Sequence, residues 1–359
     1  MSSMEYETPR TAGRSFGQAQ RRGPLKRGDF VQITDPKGRL HTVTLEPGQV
    51  FQCSRGRIPH DALIGSPASV TVKDGDKQFQ IVRPLLADYV MSMPRGAAII
   101  YPKDAAQIVT FGDIFPGARV LEAGVGSGAL SLFLLSAIGT TGELISIERR
   151  DDFAAIAQGN VDLWFGGRHP AWSVRIGEFN DAAQARRAES IDRVVLDMLT
   201  PWECLDSVAR VLSPGGVLTI YVATVTQLSR VREEIVSRDR FTPPQVWESF
   251  IRPWHLEGLA VRPQHRMVAH TGFILTTRTL ATGHEPQQRV SRPAKAAENL
   301  RGQWDDENQW GDDPQLNRAI SAKKVRRSVR DVVEKSKNLL KDSERTAAEQ
   351  DAQEDNVEF

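Results

Sequence analysis

Cysteine is nearly absent. The 359 residues contain two, Cys53 and Cys204, far apart in the chain. No CxxC pair and no mixed Cys/His cluster is present, which argues against a structural zinc site and against a disulfide framework. Both thiols read as packing residues in a reducing, cytoplasmic setting. Long apolar runs are missing too. None approaches the roughly 18 residues that a membrane-crossing helix needs, and the leading MSSMEYETPR lacks the apolar core of a signal peptide. A dominant charge sign is the third absence: Lys+Arg 46 against Asp+Glu 45 leaves +1. That balance excludes a histone-like polycation and leaves both anionic and neutral substrates open. No internal repeat and no metal-ligand set is found.

What is present is a soluble globular composition, 40% hydrophobic and 25% charged, long enough for about two to three folded units. Residues 1–26 carry Arg10, Arg14, Arg21, Arg22 and Lys26 among Gly, Ser and Gln, and read as a flexible basic arm. Residues 27–83 read as a small β domain. Phe30–Thr34, His41–Leu45 and Ser69–Val72 alternate at strand length, and Asp35-Pro36-Lys37-Gly38 supplies the first turn. From residue 84 to 280 strand and helix alternate: strands at 119–122, 143–148, 193–199 and 217–222, helices at 104–109, 129–138, 151–165, 203–212 and 227–238. This is the pattern of a parallel sheet covered on both faces. Leu259–Arg262 and Gly272–Thr279 suggest a closing antiparallel pair. Residues 281–359 read as a charged, largely disordered tail. One short helix is expected within it, Ser321–Leu340, with a basic face of Lys323, Lys324, Arg326, Arg327 and Arg330, before an acidic end at 349–358.

The chemistry concentrates at strand ends. Glu122-Ala123-Gly124-Val125-Gly126-Ser127-Gly128 closes one expected strand and opens a helix. Glycines there let the backbone approach a ligand and leave helix N–H groups free to bind it. Glu148 lies 20 residues beyond Gly128 at the end of the next strand, where a carboxylate can accept from both hydroxyls of a ribose. The third glycine follows the second by two residues, whereas the dinucleotide fingerprint needs three. Glu122 would also repel a pyrophosphate, yet attract a sulfonium or an α-ammonium. These features favour S-adenosylmethionine over NAD. Asp197 ends the apolar strand Val194-Val195-Leu196 at the same sheet edge, where open α/β sheets bind ligands.

Several strings carry a family resemblance: Arg83–Val109 (RPLLADYVMSMPRGAAIIYPKDAAQIV), Gly112–Ser131, Val195–Glu203 (VLDMLTPWE), Tyr221–Arg230, Gly258–Leu280 and, in the β domain, Gly56–Gly65. Over about residues 27–280 the chain resembles the bacterial and archaeal tRNA (adenine-58-N1)-methyltransferases. The resemblance implies a Rossmann-like class I S-adenosylmethionine-dependent methyltransferase domain behind a small N-terminal β domain. It further implies methylation of N1 of an adenine in the tRNA TΨC loop, with tRNA as partner and a homotetramer as the assembly. By the same resemblance the backbone of Ser127, Gly128, Ala129 and Leu130 holds the methionine end of the donor, Glu148 the ribose and Glu178 the adenine amino group, with Gln107 and Phe153 completing the donor set and Asp197 facing the reacting base. Two departures stand out: the family more often has Asp at the position of Glu178, and relatives carry a more polar residue at Phe153. Tyr101 and Tyr221 are candidates to line a pocket for a flipped adenine, or else half-buried aromatics with satisfied hydroxyls. Arg55, Arg57, Arg83, Arg95, Lys103, Arg252, Arg262 and Arg266 are candidate phosphate contacts.

Three other readings remain open on the residues alone. An NAD(P)-dependent oxidoreductase is disfavoured by the glycine spacing and by the lack of a Tyr/Lys or Cys/His hydride-transfer pair. A non-catalytic RNA-binding module leaves Asp197 and the glycine turn without a purpose. A methyltransferase for a small molecule or protein leaves the β domain without one.

Overall fold

The computed structural model describes residues 21–287 and 322–354. Strands β1 (Phe30–Thr34), β2 (Leu40–Thr44), β5 (Ser69–Asp74) and β6 (Lys77–Val82) form an antiparallel sheet in the order β2-β1-β6-β5, and β3 (Val50–Cys53) pairs with β4 (Gly56–Pro59) beside it. Alternation in β1 turns Val31 and Ile33 inward onto Ile58, Leu63, Phe79 and Ile81. The Asp35 carboxylate accepts from the backbone N–H groups of Lys37 and Arg39, closing the β1–β2 turn. Leu25 belongs to this core, and its backbone pairs with Gly65 and Ser66. The expected flexible arm therefore does not extend to residue 26. One apolar side chain with a pocket to fill pins 21–26 to the β domain, while Arg10 and Arg14 lie outside the described residues.

The larger domain follows the alternation in the sequence. After α1 (Leu86–Ser92) and α2 (Pro102–Phe111) come β7 (Arg119–Ala123), α3 (Ala129–Ile138), β8 (Glu143–Glu148), α4 (Asp151–Phe165), β9 (Trp172–Ile176), α5 (Phe179–Gln184), β10 (Ile191–Asp197), α6 (Leu205–Val211), β11 (Leu212–Val222) and α7 (Val225–Ser237). Then follow β12 (Gln245–Trp247), β13 (Trp254–Glu257), β14 (Ala260–Pro263) and β15 (Phe273–Arg278). The sheet order is β12-β15-β11-β10-β7-β8-β9, with β15 antiparallel to β11 and β12 and the five strands from β11 to β9 parallel. Alternate residues of each inner strand feed two cores. Leu121, Ile145 and Val194 pack under α5, α6 and α7, while Val120, Leu144 and Val195 pack under α1 to α4. Burial on both faces explains why these strands read as unbroken apolar runs.

Two expectations are corrected. The closing pair suggested at 259–262 and 272–279 does not form: β14 pairs with β13 in a separate hairpin, and β15 enters the main sheet between β11 and β12. While 288–321 lie outside the described residues, the short helix expected at Ser321–Leu340 is longer, because residues 322–354 form one 33-residue helix, α8. Its polar composition hides a stripe at helical spacing, with Val325, Val332 and Ser336 buried. Val332 sits against Gly159 of α4 so closely that a Cβ on the glycine would lie 1.9 Å from it. Ser336 Oγ donates to Asp162 Oδ2 at 3.0 Å. Residues 355–358, the end of the segment expected to be acidic, lie outside the described residues. Among the described residues no helix is long and apolar enough to cross a membrane.

Beyond β7 the chain turns to one side of the sheet through β8 and β9, then returns to the other through β10 and β11. The gap between the carboxyl ends of β7 and β10 is therefore the topological switch point, where such sheets open a ligand crevice.

Candidate active site

Both lips of this crevice are built from residues singled out in the sequence. Gly124 follows β7 with φ +84° and lies directly on the backbone of Asp197, the last residue of β10; a Cβ at Gly124 would stand 1.7 Å from the Asp197 carbonyl oxygen. Gly126 (φ +55°) donates its N–H to Glu148 Oε2 at 2.9 Å, and Arg150 N–H donates to Oε1 at 3.1 Å. Gly128 (φ +79°) is the N-cap of α3, so Ala129 and Leu130 form the open first turn of that helix. The Ser127 side chain is buried. Its Oγ accepts from Gly96 N–H at 3.0 Å, and its carbonyl accepts from Asn160 Nδ2, which also bonds the Pro94 carbonyl. Ser127 thus ties the 94–97 segment to the turn.

Three carboxyl groups surround the turn. Glu122 is buried and accepts from Ser131 Oγ at 2.7 Å and Ser146 Oγ at 2.5 Å on one oxygen, while its Oε1 has no partner. Burial pushes Glu122 up to about 7 against those two serine bonds, and the charge of Glu148 adds to the rise. Asp197 is half-buried. Burial pushes its carboxyl up to about 7 as well, reinforced by the negative charges of Glu122 and Glu148. Such a cluster is complementary to a cation and hostile to a phosphate.

This arrangement has a stability consequence. Glu122 holds its proton more tightly folded than unfolded, so the unligated protein loses stability as pH rises from the unfolded carboxyl range, about 4.5, to about 7. Glu122→Gln keeps the serine bonds and removes the ionisation. Its thermal midpoint is expected to exceed the parent's by several degrees at pH 8 and to match it near pH 4, measured by calorimetry without ligand. Equal midpoints at pH 8 would show that Glu122 is not desolvated.

The remaining expected residues are distributed as follows. Phe153, early on α4, is half-buried against Gly96 and covered by the Arg150 guanidinium at 3.8 Å from its centroid, so it stands as an apolar wall. Glu178 is exposed at the end of β9 and ion-paired to Arg149 at 2.7 Å. Tyr101 is half-buried at the head of α2, and Gln107 half-buried further along that helix. Tyr221 is buried in the core, with its hydroxyl 3.4 Å from Asp104 Oδ2 and its ring against Gly272. Its hydroxyl is satisfied in this arrangement. Among the phosphate candidates, Arg55 pairs with Asp35, Arg83 with Asp29, and Lys103 is buried on Asp104 at 2.7 Å. These three are consumed by internal ion pairs, while Arg57, Arg252, Arg262 and Arg266 are exposed. Cys204 is buried and its thiol is pushed up to about 11 by that burial, consistent with a packing role.

One feature was missed in the sequence. Asp104, fully buried at the start of α2, receives Lys103 Nζ, Ser249 Oγ at 2.8 Å and Thr271 Oγ1 at 2.5 Å. This knot joins α2, the end of β11 and the segments flanking the β13–β14 hairpin. Beside it, His270 places Nδ1 2.7 Å from Glu248 Oε2 and Nε2 3.1 Å from the Ala223 carbonyl. Two acceptors on one ring favour the doubly protonated imidazole and raise its pKa. Only the adjacent Lys103-Asp104 pair signalled the knot in sequence, because its partners lie more than 100 positions away.

Comparison with known proteins agrees with this architecture. Residues 23–72 match the TrmI-like N-terminal family model, and residues 80–257 match the model of the tRNA methyltransferase complex GCD14 subunit. The chain is 34% identical over 247 residues to the tRNA (adenine(58)-N(1))-methyltransferase TrmI of Thermus thermophilus, covering 68% of this chain and 95% of that protein. It is 28% identical over 222 residues to the tRNA (adenine(57)-N(1)/adenine(58)-N(1))-methyltransferase TrmI of Methanocaldococcus jannaschii, covering 56% and 78%. Among solved structures, a SAM-dependent O-methyltransferase from Thermotoga maritima superimposes with a TM-score of 0.67 at 27% identity, over 73% of this chain and 96% of that one. The tRNA (m1A58) methyltransferase TrmI of Aquifex aeolicus gives 0.64 at 28% identity, over 72% and 100%. With its β domain, its methyltransferase sheet and two thirds of its length aligned to one such enzyme, the chain belongs to the TrmI family of tRNA (adenine(58)-N(1))-methyltransferases.

Proposed function

We propose that this protein transfers a methyl group from S-adenosylmethionine to N1 of adenine-58 in the TΨC loop of tRNA. The observation that carries the reading is the carboxyl cluster of Glu122, Glu148 and Asp197 around a glycine turn at the switch point. The residues present fit this donor: the unpartnered buried oxygen of Glu122 and the raised acids favour a cationic ligand over a dinucleotide. Bound there, S-adenosylmethionine supplies an electrophilic methyl group.

The chain's own residues do the rest. Glu148 keeps lone pairs beyond those used by Gly126 and Arg150 and accepts from the ribose hydroxyls. The first turn of α3, from Ser127 to Leu130, offers backbone N–H groups to the carboxylate of the methionine end. Phe153 walls the site, Gln107 borders it from α2, and Glu178 receives the adenine amino group by exchanging its exposed ion pair with Arg149. The acceptor needs no base before attack, because adenine N1 carries an in-plane lone pair. That edge is the pairing edge, so the nucleotide must be swung out of its stack. Asp197 accepts a hydrogen bond from the exocyclic amino group, and that bond strengthens as the base becomes cationic. Tyr101 lines the entry. Tyr221, through Asp104, holds the floor of the pocket.

Phosphate contacts fall to the exposed Arg57, Arg252, Arg262 and Arg266. The β13–β14 hairpin exposes Trp254, Leu256, Leu259 and Val261, an apolar surface that supports self-association, with a homotetramer as the assembly we assign. The enzyme acts in the cytoplasm, on tRNA. Incubation with labelled donor and unmodified tRNA, followed by mapping of the modified nucleotide, tests the reading. Label is expected at adenine-58, and none in a transcript with guanine there. Label elsewhere, or none in either RNA, would overturn it.

A further inference from the structure

Both family models end before α8 and leave it unaccounted for. We infer that the basic half of α8 is an added phosphate-binding surface for the tRNA substrate, set on the rim of the active site. The inference rests on the tRNA reading above. Its geometry comes from how α8 lies on α4. Ser328 Oγ donates to the Arg95 carbonyl at 3.3 Å; the next residue, Gly96, faces Phe153 and Ile156 near the start of α4. One turn on, Val332 caps Gly159, and Ser336 bonds Asp162. The two helices therefore run in the same direction. Because α4 begins three residues after Glu148, the start of α8 points to the sheet edge that carries the crevice. The 94–97 segment, bonded to Ser127, and the first half of α4, whose Ala157 lies against Gly128, join α8 to the glycine turn.

Charge along α8 is sorted in the same sense. From 323 to 341 the sequence has eight Lys and Arg against Asp331 and Glu334; from 342 to 354 it has Asp342, Glu344, Glu349, Asp351 and Glu354 against Arg345 alone. The basic part is the one nearest the site. Arg327 and Arg330 have side chains 80% and 74% exposed and share the single carboxylate of Asp331 at 3.8 and 3.7 Å. An ion pair that long and that exposed is weak, so both guanidinium groups can turn to phosphate at small cost. Lys335, Lys337 and Lys341 continue the exposed face. A flipped nucleotide at the crevice brings flanking backbone phosphates to this edge, which favours RNA over any other polyanion as occupant.

The test uses the full chain with Arg327→Glu and Arg330→Glu together, and a second variant with both changed to Lys. KM for unmodified tRNA is expected to rise about tenfold in the Glu variant, with donor affinity and thermal midpoint unchanged. The slope of log binding against log salt should fall by about two, one for each phosphate no longer neutralised. The Lys variant should recover most of the affinity, since a point charge still serves a phosphate. An unchanged KM would overturn the inference, as would weakened donor binding in the Glu variant, which would make α8 a brace. Binding to phosphatidylglycerol vesicles that the Glu variant loses while its tRNA KM holds would also overturn it. Direct tRNA binding is measured beside turnover: binding without methyl transfer counts against the enzymatic reading alone, whereas transfer with an unaltered variant KM counts against the α8 surface alone.

Discussion

Asp197→Asn is expected to lower kcat on unmodified tRNA by about 10²–10³-fold while donor affinity changes only a few-fold. The two side chains are nearly isosteric, and the part of Asp197 that shapes the site is its carbonyl, pressed against Gly124. Asparagine keeps that backbone contact. What it removes is the negative charge beside a base that turns cationic during attack, an interaction that grows toward the transition state and so acts on kcat. Asparagine also presents its own N–H groups toward the exocyclic amine as readily as its oxygen. The pH profile separates this from general damage. Burial and the charges of Glu122 and Glu148 hold Asp197 near 7 in the free enzyme, so its ionised fraction rises as pH climbs toward 7 and saturates above it. The kcat/KM of the parent is therefore expected to gain close to tenfold per pH unit below about 7 and to level off above. In Asp197→Asn the limb assigned to this residue should vanish. Single-turnover rates from pH 5.5 to 8.5, with donor affinity by calorimetry, give both readings. Full turnover in the variant would remove Asp197 from the reaction.

Where the sequence was legible, the signal was local. Glu148 and Asp197 each end an apolar run, and the carboxyl end of a buried parallel strand marks the sheet edge on which such a crevice opens. The glycine turn was visible because three positive-φ positions within five residues leave few side chains possible. Two predicted features changed on the scale of the whole fold. The strand at 273–278 has the right composition for an antiparallel partner, but the partner is β11, some 55 residues earlier, while β14 turns back on β13. Composition does not choose between partners. The tail misled for a different reason. Its apolar residues are too sparse for an independent core, but α8 needs only a single stripe because α4 supplies the other surface, with Gly159 leaving the space that Val332 fills. Arg55, Arg83 and Lys103 looked like phosphate ligands because their acidic partners lie in other elements or, for Lys103, at the first position of the helix expected at 104–109.

Gly124→Ala should be as damaging as loss of the Asp197 carboxylate, although it removes no functional group. At φ +84° an L side chain costs about 1–2 kcal/mol before any contact is counted. The added methyl would then sit 1.7 Å from the Asp197 carbonyl oxygen, which is backbone of a central strand and has no rotamer to adopt. Relief must come from separating the ends of β7 and β10, the two lips of the crevice. That displaces Asp197 from the reacting base and opens the turn that holds the donor. The expected outcome is a fall in thermal midpoint of about 5 °C or more, a donor affinity lower by more than tenfold and a kcat lower by more than a hundredfold. Gly126→Ala is the matched comparison. It also has positive φ, but its Cβ would meet nothing closer than the Ala97 methyl at 3.5 Å, so the strain stays in the turn and reaches the donor without moving Asp197. Its loss should fall on donor affinity, with a kcat deficit at saturating donor at least tenfold smaller than that of Gly124→Ala. Equal kcat deficits in the two variants would mean that the contact between the glycine turn and Asp197 does not set the position of the carboxylate.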